Sequence, residues 1–497
     1  MNRVEGLAQR TDAVVRADVV VVGSGPAGAA VAREAARAGA RVVVVEEGPF
    51  VSPDRFPLDT FHAMALLYRD LGASVSFGNL PMPVVQGRAV GGTSVVNGAI
   101  SWRLPRDVWD AWVAQDPALA DALPWQVLCG LTDEVEADLG IAPTDAAVAG
   151  PKNLLMARGA ETLGLAHRPI ARNVRGCEGL GRCLQGCPAG HKQSMERTYL
   201  PQACAAGAVI HHDVRVERVE VARGRAVAAI GRAAGGGRVR FLADRAVVLA
   251  ASAVQTPGLL MASGLGGGAV GRGFMCHPGV AVAGRFREPV RLWTGATQGH
   301  EVIGLRAQGL KFEVLGYDAA LAATRARGVG VELARGLEAL TYMAHWGCAI
   351  KASARGRVVL RGGRPQVRFS LLEPDLAAVR RGVRVLGDLF FAAGAVAVEP
   401  GVHGMPGEVT DPRQMARFEE AGPRSPKAYS MAVTHLFGTC RMGDDPASCV
   451  VRPDFRHHQI DGLYVADSSV FPTNTGVNPQ TSILALATLC GRNVVQS

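Results

Sequence analysis

The feature that most constrains this chain lies in its first fifty residues. Ala17-Asp18-Val19-Val20-Val21-Val22 is a β-branched run suited to a buried parallel strand, and it leads straight into Gly23-Ser24-Gly25-Pro26-Ala27-Gly28. A helical stretch follows to Ala38, closed by Gly39, and a second strand runs from Arg41 to Val45 with Glu46 directly after it. The three glycines differ in what they permit. Gly23 allows the tight turn, Gly25 lets backbone approach a pyrophosphate, and Gly28 lets helix and strand pack closely. The free N–H groups and positive dipole end of the helix favour phosphate, and Glu46 is placed to accept from a ribose hydroxyl. A glycine turn alone is weak evidence. Set between strand and helix, with an acid closing the second strand, it predicts a Rossmann-like dinucleotide site. It does not choose between FAD and a nicotinamide.

A chain of 497 residues buries a large core and implies more than one lobe. With 48% apolar and 20% charged residues, wholesale disorder is excluded. The formal charge of +9 raises the question of a polyanion partner. The basic residues are nearly all Arg, however, and the five lysines (Lys152, Lys192, Lys311, Lys351, Lys427) are scattered without a basic stripe, so no nucleic-acid partner is expected. Met1 to Arg16 carries no apolar leader, and no uninterrupted apolar run reaches spanning length, so no membrane association is expected. Ten cysteines without an export signal fit reduced thiols and a cytoplasmic location.

A second glycine-rich turn, Gly87-Arg88-Ala89-Val90-Gly91-Gly92-Thr93-Ser94-Val95-Val96-Asn97-Gly98, exposes backbone able to approach another part of a long cofactor. Here the sequence resembles the glucose–methanol–choline (GMC) oxidoreductase family. The resemblance continues in Ala251-Ser252-Ala253-Val254-Gln255-Thr256-Pro257, in Gly271-Arg272-Gly273-Phe274-Met275-Cys276-His277-Pro278 and in His435-Leu436-Phe437-Gly438-Thr439-Cys440-Arg441-Met442-Gly443. It ends in Asp467-Ser468-Ser469-Val470-Phe471-Pro472 and Gly476-Val477-Asn478-Pro479-Gln480. It implies an α/β fold: a doubly wound, discontinuous FAD-binding domain and an α+β substrate domain of antiparallel sheet plus helices. The expected divisions are an FAD-binding domain over 17–281 with inserted segments, a substrate-binding domain over 282–424, and a return to the first domain over 425–497. Arg357 to Leu360 and Gln366 to Leu371 read as strands joined by a Gly362-Gly363 turn, and Gly235 to Gly237 as a surface turn.

The resemblance further implies that Gly91, Gly92, Thr93, Asn97 and Gly98 lie against the pyrophosphate or flavin, and that Val214 offers backbone to adenine. Ala251, Asp467 and Pro479 join this cofactor set. Some members tether FAD through a His before the loop Asn; Val96 stands there, so FAD is expected to be non-covalent. Oxidising a CH–OH group requires loss of a proton from oxygen and a hydride from carbon, the latter to flavin N5. By the resemblance, His435 is the base, with a pKa near working pH, and Asn478 orients the alcohol by donating and accepting. His277 reads as structural, and His211, His212, His457 and His458 as polar-loop residues.

Cys177, Cys183 and Cys187 are the remaining cluster. Three near thiols suit an iron–sulfur cluster that passes electrons to a partner protein, or a purely structural role; with no fourth thiol near, the structural role is favoured and no metal is expected. The donor alcohol is a sugar, aminosugar, polyol or other natural-product alcohol, an aminoglycoside among them, and the acceptor oxygen or another oxidant. The competing readings are a non-redox lyase of the same family, an electron-transfer subunit and a nicotinamide enzyme.

Overall fold

The computed structural model describes residues 4–6 and 12–496; the N-terminal stretch read above for a leader lies partly outside them. The expected strand–turn–helix–strand forms as Ala13–Val22, Pro26–Arg37 and Val42–Val45. Val19 to Val22 pair in parallel with Val42 to Val45, and all eight are nearly inaccessible to solvent. Burying a valine side chain stabilises by about 1.5–3 kcal/mol, so this ladder is a large contributor to the core.

The sheet built on this ladder has eight strands among the described residues. Val209–His212 and Val4–Gly6 extend it in parallel on one side, and Arg238–Leu249 on the other. Leu463–Val465 returns more than 200 residues later to pair in parallel with Arg238–Leu249, so the domain is discontinuous in sequence. Arg225–Ala233 and Val214–Ala222 continue it as an antiparallel meander, with Gly235 to Gly237 in the turn between strands. Pro26–Arg37 packs against Gln480–Gln496 and Tyr199–Ala205. His211 and His212 end a strand and His211 and His457 are buried, where polar-loop positions were expected. The burial of His211 follows from its parallel pairing with Val45, a contact distant in sequence.

A second sheet is antiparallel throughout the pairings Arg364–Arg368, Gly356–Arg361, Arg272–Arg285, Met343–Ile350, Leu310–Leu315, His300–Val302 and His167–Pro169. Its long central strand runs Arg272–Arg285, so the boundary expected at 281 falls inside a single element, and His167–Pro169 joins it from within the expected first domain. Gly362 and Gly363, with φ of 56° and 72°, make the two-residue hairpin turn that the sequence indicated. Helix Glu373–Ala392 covers this sheet, with Phe390 stacked on Trp346 at 3.8 Å.

Candidate active site

Between the two sheets lies a cavity of about 1040 Å³, at the upper end of ordinary ligand sites. Gly23, Gly25, Glu46, Gly92, Thr93, Asn97, Gly98, Val214, Ala251, Asp467 and Pro479 all line it, and so do His435 and Asn478. Gly28 and Gly91 stand behind its wall. A Cβ on Gly28 would come 1.9 Å from the Gly23 carbonyl oxygen, which enforces close helix–strand packing. A Cβ on Gly25 would meet only the Gly92 Cα, at 3.8 Å, so Gly25 is open on its cavity side.

The first turn and the second glycine loop are tied by a residue the sequence reading passed over. Ser24 Oγ donates to Glu46 Oε2 at 2.7 Å and accepts from Gly91 N–H at 3.0 Å. Glu46 also accepts from Ser24 N–H and Gly48 N–H, and burial raises its pKa against those bonds. Val214 N–H is committed to the Glu46 carbonyl at 2.9 Å. Asp467 accepts from Ser469 N–H, Thr256 Oγ1 and Ser252 N–H, holding Ser252 in a positive-φ conformation (98°) beside the cavity.

The residues fit a dinucleotide. Helix Pro26–Arg37 has no side-chain N-cap, so its first N–H groups face the cavity's glycine end without a protein acceptor from a capping side chain. Gln480, which follows Pro479, accepts from Asn97 Nδ2 through Oε1, while its buried Nε2 has no partner and lines the same cavity. An FAD in this space would meet Gly25 at one end and the His435–Asn478 pair at the other.

That pair is built by two distant segments. His435 lies on strand Met431–Phe437, which pairs with Arg272–Arg285 through an irregularity between Cys276 and Pro278. The bulge turns His277 and His435 toward each other, with Nδ1···Nδ1 at 3.0 Å. His277 was expected to be structural; it is a direct partner of His435. Its Nε2 accepts from Gly476 N–H at 3.0 Å. Asn478 Nδ2 lies 3.3 Å from His435 Nε2. Its Oδ1 accepts from Lys311 at 2.8 Å, which uses one of the two bonds an amide oxygen can accept. Lys311 is buried between Glu301 and Glu313, whose charges outweigh desolvation and raise its pKa. Burial, and then the Lys311 charge, pulls His435 down to about 3, far from the working pH expected of it. His277 is likewise pushed well below its ordinary value by burial and by His435. Both shifts favour the uncharged ring.

The cysteine cluster lies in a separate small pocket lined by Cys177, Cys183 and Cys187 with Arg172 and Lys192. Arg172 donates to Cys183 Sγ at 3.1 Å and approaches Cys177 Sγ at 3.7 Å. Burial raises the Cys183 thiol, but the Arg172 and Lys192 charges outweigh it and hold it below its usual value. Lys192 donates to the carbonyls of Cys183, Val95 and Asn97, binding this segment to the second glycine loop. Among the described residues, no three His, Cys, Asp or Glu are grouped to hold a metal ion, and none of the ten cysteines is joined in a disulfide. No helix among them is long and apolar enough to cross a membrane.

Models of the GMC oxidoreductase family match residues 60–279 and 352–487, and one described as FAD dependent oxidoreductase matches residues 18–55. An uncharacterized GMC-type oxidoreductase of Mycobacterium tuberculosis is 38% identical over 487 residues, 97% of this chain and 76% of that protein. The long-chain-alcohol oxidase FAO4A of Arabidopsis thaliana is 25% identical over 526 residues, covering 97% of this chain and 69% of its own. In structure, pyridoxine 4-oxidase from Mesorbium loti aligns with a TM-score of 0.71 at 19% identity, covering 97% and 99% of the two chains. A formate oxidase aligns at 0.71 and 17% identity, covering 98% and 99%.

Proposed function

The chain belongs to the GMC oxidoreductase family and is an FAD-dependent oxidoreductase acting on CH–OH donors, and on that premise we propose that its reaction centre is the His435–Asn478 pair. The observation that carries this reading is continuity: one cavity is lined by Gly25 at its dinucleotide end and by both members of the pair. When bound, FAD supplies the hydride acceptor. The neutral His435 ring and the Asn478 amide hold the alcohol oxygen, and His435 assists loss of its proton. Lys311 keeps the Asn478 amide from turning, because its ammonium is fixed by two carboxylates. The substrate-side wall includes Leu184, Leu315, Leu321 and Met431, which favours an apolar segment beside the carbinol, with Glu313 and Gln298 as polar groups near the pair. The donor is a sugar, aminosugar, polyol or other natural-product alcohol carrying such a segment, and the acceptor is oxygen or another small oxidant.

The test is an anaerobic screen of the purified holoprotein against sugars, aminosugars, polyols and long-chain alcohols, followed by flavin absorbance. Bleaching by an alcohol, lost in His435→Ala with flavin retained, is the expected result. Cleavage of a cyanohydrin without bleaching would replace the oxidase reading with a lyase. The same absorbance, read after oxygen is admitted, identifies whether oxygen restores the oxidised form.

A further inference from the structure

Three basic side chains around the cysteine pocket are sealed from solvent: Arg172, Lys152 and Lys192 are all but inaccessible. Lys152 donates to the Thr294 carbonyl, and Lys192 to the carbonyls of Val95, Asn97 and Cys183. Arg172 faces two sulfurs, and its Nε has no partner. Among the described residues, no Asp or Glu forms an ion pair with any of the three; carbonyls and thiols stand in its place. Buried cations left without carboxylates call for another anion. Cys183 Sγ is the group they share. Arg172 donates to it at 3.1 Å. Burial draws Lys152 down to about 7, and the Cys183 charge opposes that fall. Elsewhere burial raises the thiols of Cys276, Cys348, Cys440 and Cys490, so Cys183 is set apart from these four by its cations.

The pocket on which Cys183 opens has a volume of about 20 Å³, room for one water-sized molecule. Cys177 and Cys187 line it too, and both are only half-buried. Cys177 is the thiol held by the same guanidinium as Cys183, through the other terminal nitrogen. The chain between these two cysteines belongs to no helix or strand, and it turns through Gly179 and Gly181 at φ of 70° and 69°.

We propose that Cys183 is a site of reversible oxidation by hydrogen peroxide, with Cys177 as the thiol that resolves it into a disulfide. The Cys183 thiolate attacks one peroxide oxygen: an S–O bond forms, the O–O bond breaks, and the departing hydroxide takes a proton from solvent to become water. Sulfur is oxidised by two electrons and the peroxide is reduced by two. Cys177 Sγ then attacks the Cys183 sulfur, the S–O bond breaks, and the second hydroxide leaves as water with the Cys177 proton. The disulfide carries no charge, so Arg172, Lys152 and Lys192 lose their shared anion. Lys192 also holds the Val95 and Asn97 carbonyls of the second glycine loop, which lines the dinucleotide cavity. Oxidation therefore loosens the grip on FAD. The inference is independent of the His435–Asn478 assignment; oxygen as acceptor would supply peroxide from the same molecule.

The test treats the FAD-loaded protein with hydrogen peroxide, removes the excess with catalase, denatures it in N-ethylmaleimide and maps the peptides by mass spectrometry. A Cys177–Cys183 disulfide reversed by dithiothreitol is expected, with Cys276, Cys348, Cys440 and Cys490 alkylated. In Cys177→Ser the oxidised Cys183 should persist as sulfenic acid, captured by dimedone at denaturation. Flavin release on dilution, followed by fluorescence, should show about a tenfold fall in FAD affinity after peroxide, the loss of one hydrogen bond to a charged group. Dithiothreitol should restore it, and Cys183→Ser should show no response to peroxide. Cys183 left unoxidised, a bond to Cys187 instead, or iron bound through these thiols overturns the proposal. So does a peroxide response of equal size in Cys183→Ser, or an FAD affinity that the disulfide leaves unchanged. Should either variant not fold, the wild-type peptide map still decides.

Discussion

A histidine that must hold an uncharged oxygen near neutrality does best when it carries no charge before the substrate arrives. His435 meets this through burial and through Lys311, which bring its pKa to about 3. The sign is plain: a lowered pKa keeps the ring neutral at every pH above that value. The rate of flavin reduction should therefore show no inflection from His435 between pH 5 and 8, and a break near 6.5 that vanishes in His435→Gln would contradict the assignment. His435→Ala should lower that rate by about 10²–10⁴-fold while the protein keeps its flavin, read by stopped-flow absorbance. Lys311 has a different cost. Its loss in Lys311→Met leaves buried Glu301 and partly buried Glu313 without their shared cation, although Arg168 still bonds Glu301. About 3–5 kcal/mol of stability should be lost, measured by denaturant titration. His435 and Asn478 were legible in the sequence through their motifs. Lys311 was not, because an alternating Leu310–Leu315 strand reads as having a solvent face, and only the cavity shows that this face is internal.

At the scale of elements, the two glycines of the first turn should separate fold from cofactor. In Gly28→Ala the new Cβ would collide with backbone at Gly23, which cannot yield cheaply, and the chain should lose its native core as judged by circular dichroism. In Gly25→Ala the backbone is already extended (φ −66°, ψ −172°) and the Cβ has room within the protein. The apoprotein should melt as wild type does, while FAD affinity should fall about tenfold or more, worth about 1.4 kcal/mol. An apoprotein of Gly25→Ala that fails to fold would refute this division of labour. The elements around the turn were read closely from hydrophobic pattern and glycine placement. The bulge at Cys276–Pro278 was not, because a register shift between strands 160 residues apart leaves no local pattern.

For the whole molecule, several buried rings couple stability to pH. His345 is held near 3 and His300 and His457 near 4, each chiefly by burial. An unfolded histidine titrates near 6.5, so the unfolded state binds protons that the folded state refuses. Stability from such a ring is fully present above about pH 6.5 and is lost as pH falls toward the folded value. Buried carboxyls with raised pKa, such as Glu46 and Asp467, act in the opposite sense, so the effect is best read by difference. His345→Gln should flatten the decline of unfolding free energy between pH 6.5 and 4 by up to about 1.4 kcal/mol per pH unit. FAD should stabilise both lobes together, because its cavity is walled by both sheets. At a hundredfold excess over its dissociation constant this amounts to about 2.7 kcal/mol, visible as a raised melting temperature against the apoprotein.

By itself the sequence determined the local grammar of this protein, the strand–glycine turn–helix unit and the Gly362-Gly363 hairpin, while His435 and Asn478 came forward only through the motifs of the family resemblance. The turn and hairpin depend on backbone freedom and apolar periodicity, which act over a few residues. Tertiary structure alone decided that His277 faces His435, that Lys311 lies inside and holds Asn478, and that Ser24 joins two glycine loops. Hydrogen-bond direction depends on which donor stands opposite each acceptor, and that is fixed only when segments far apart in the chain are brought within about 3 Å.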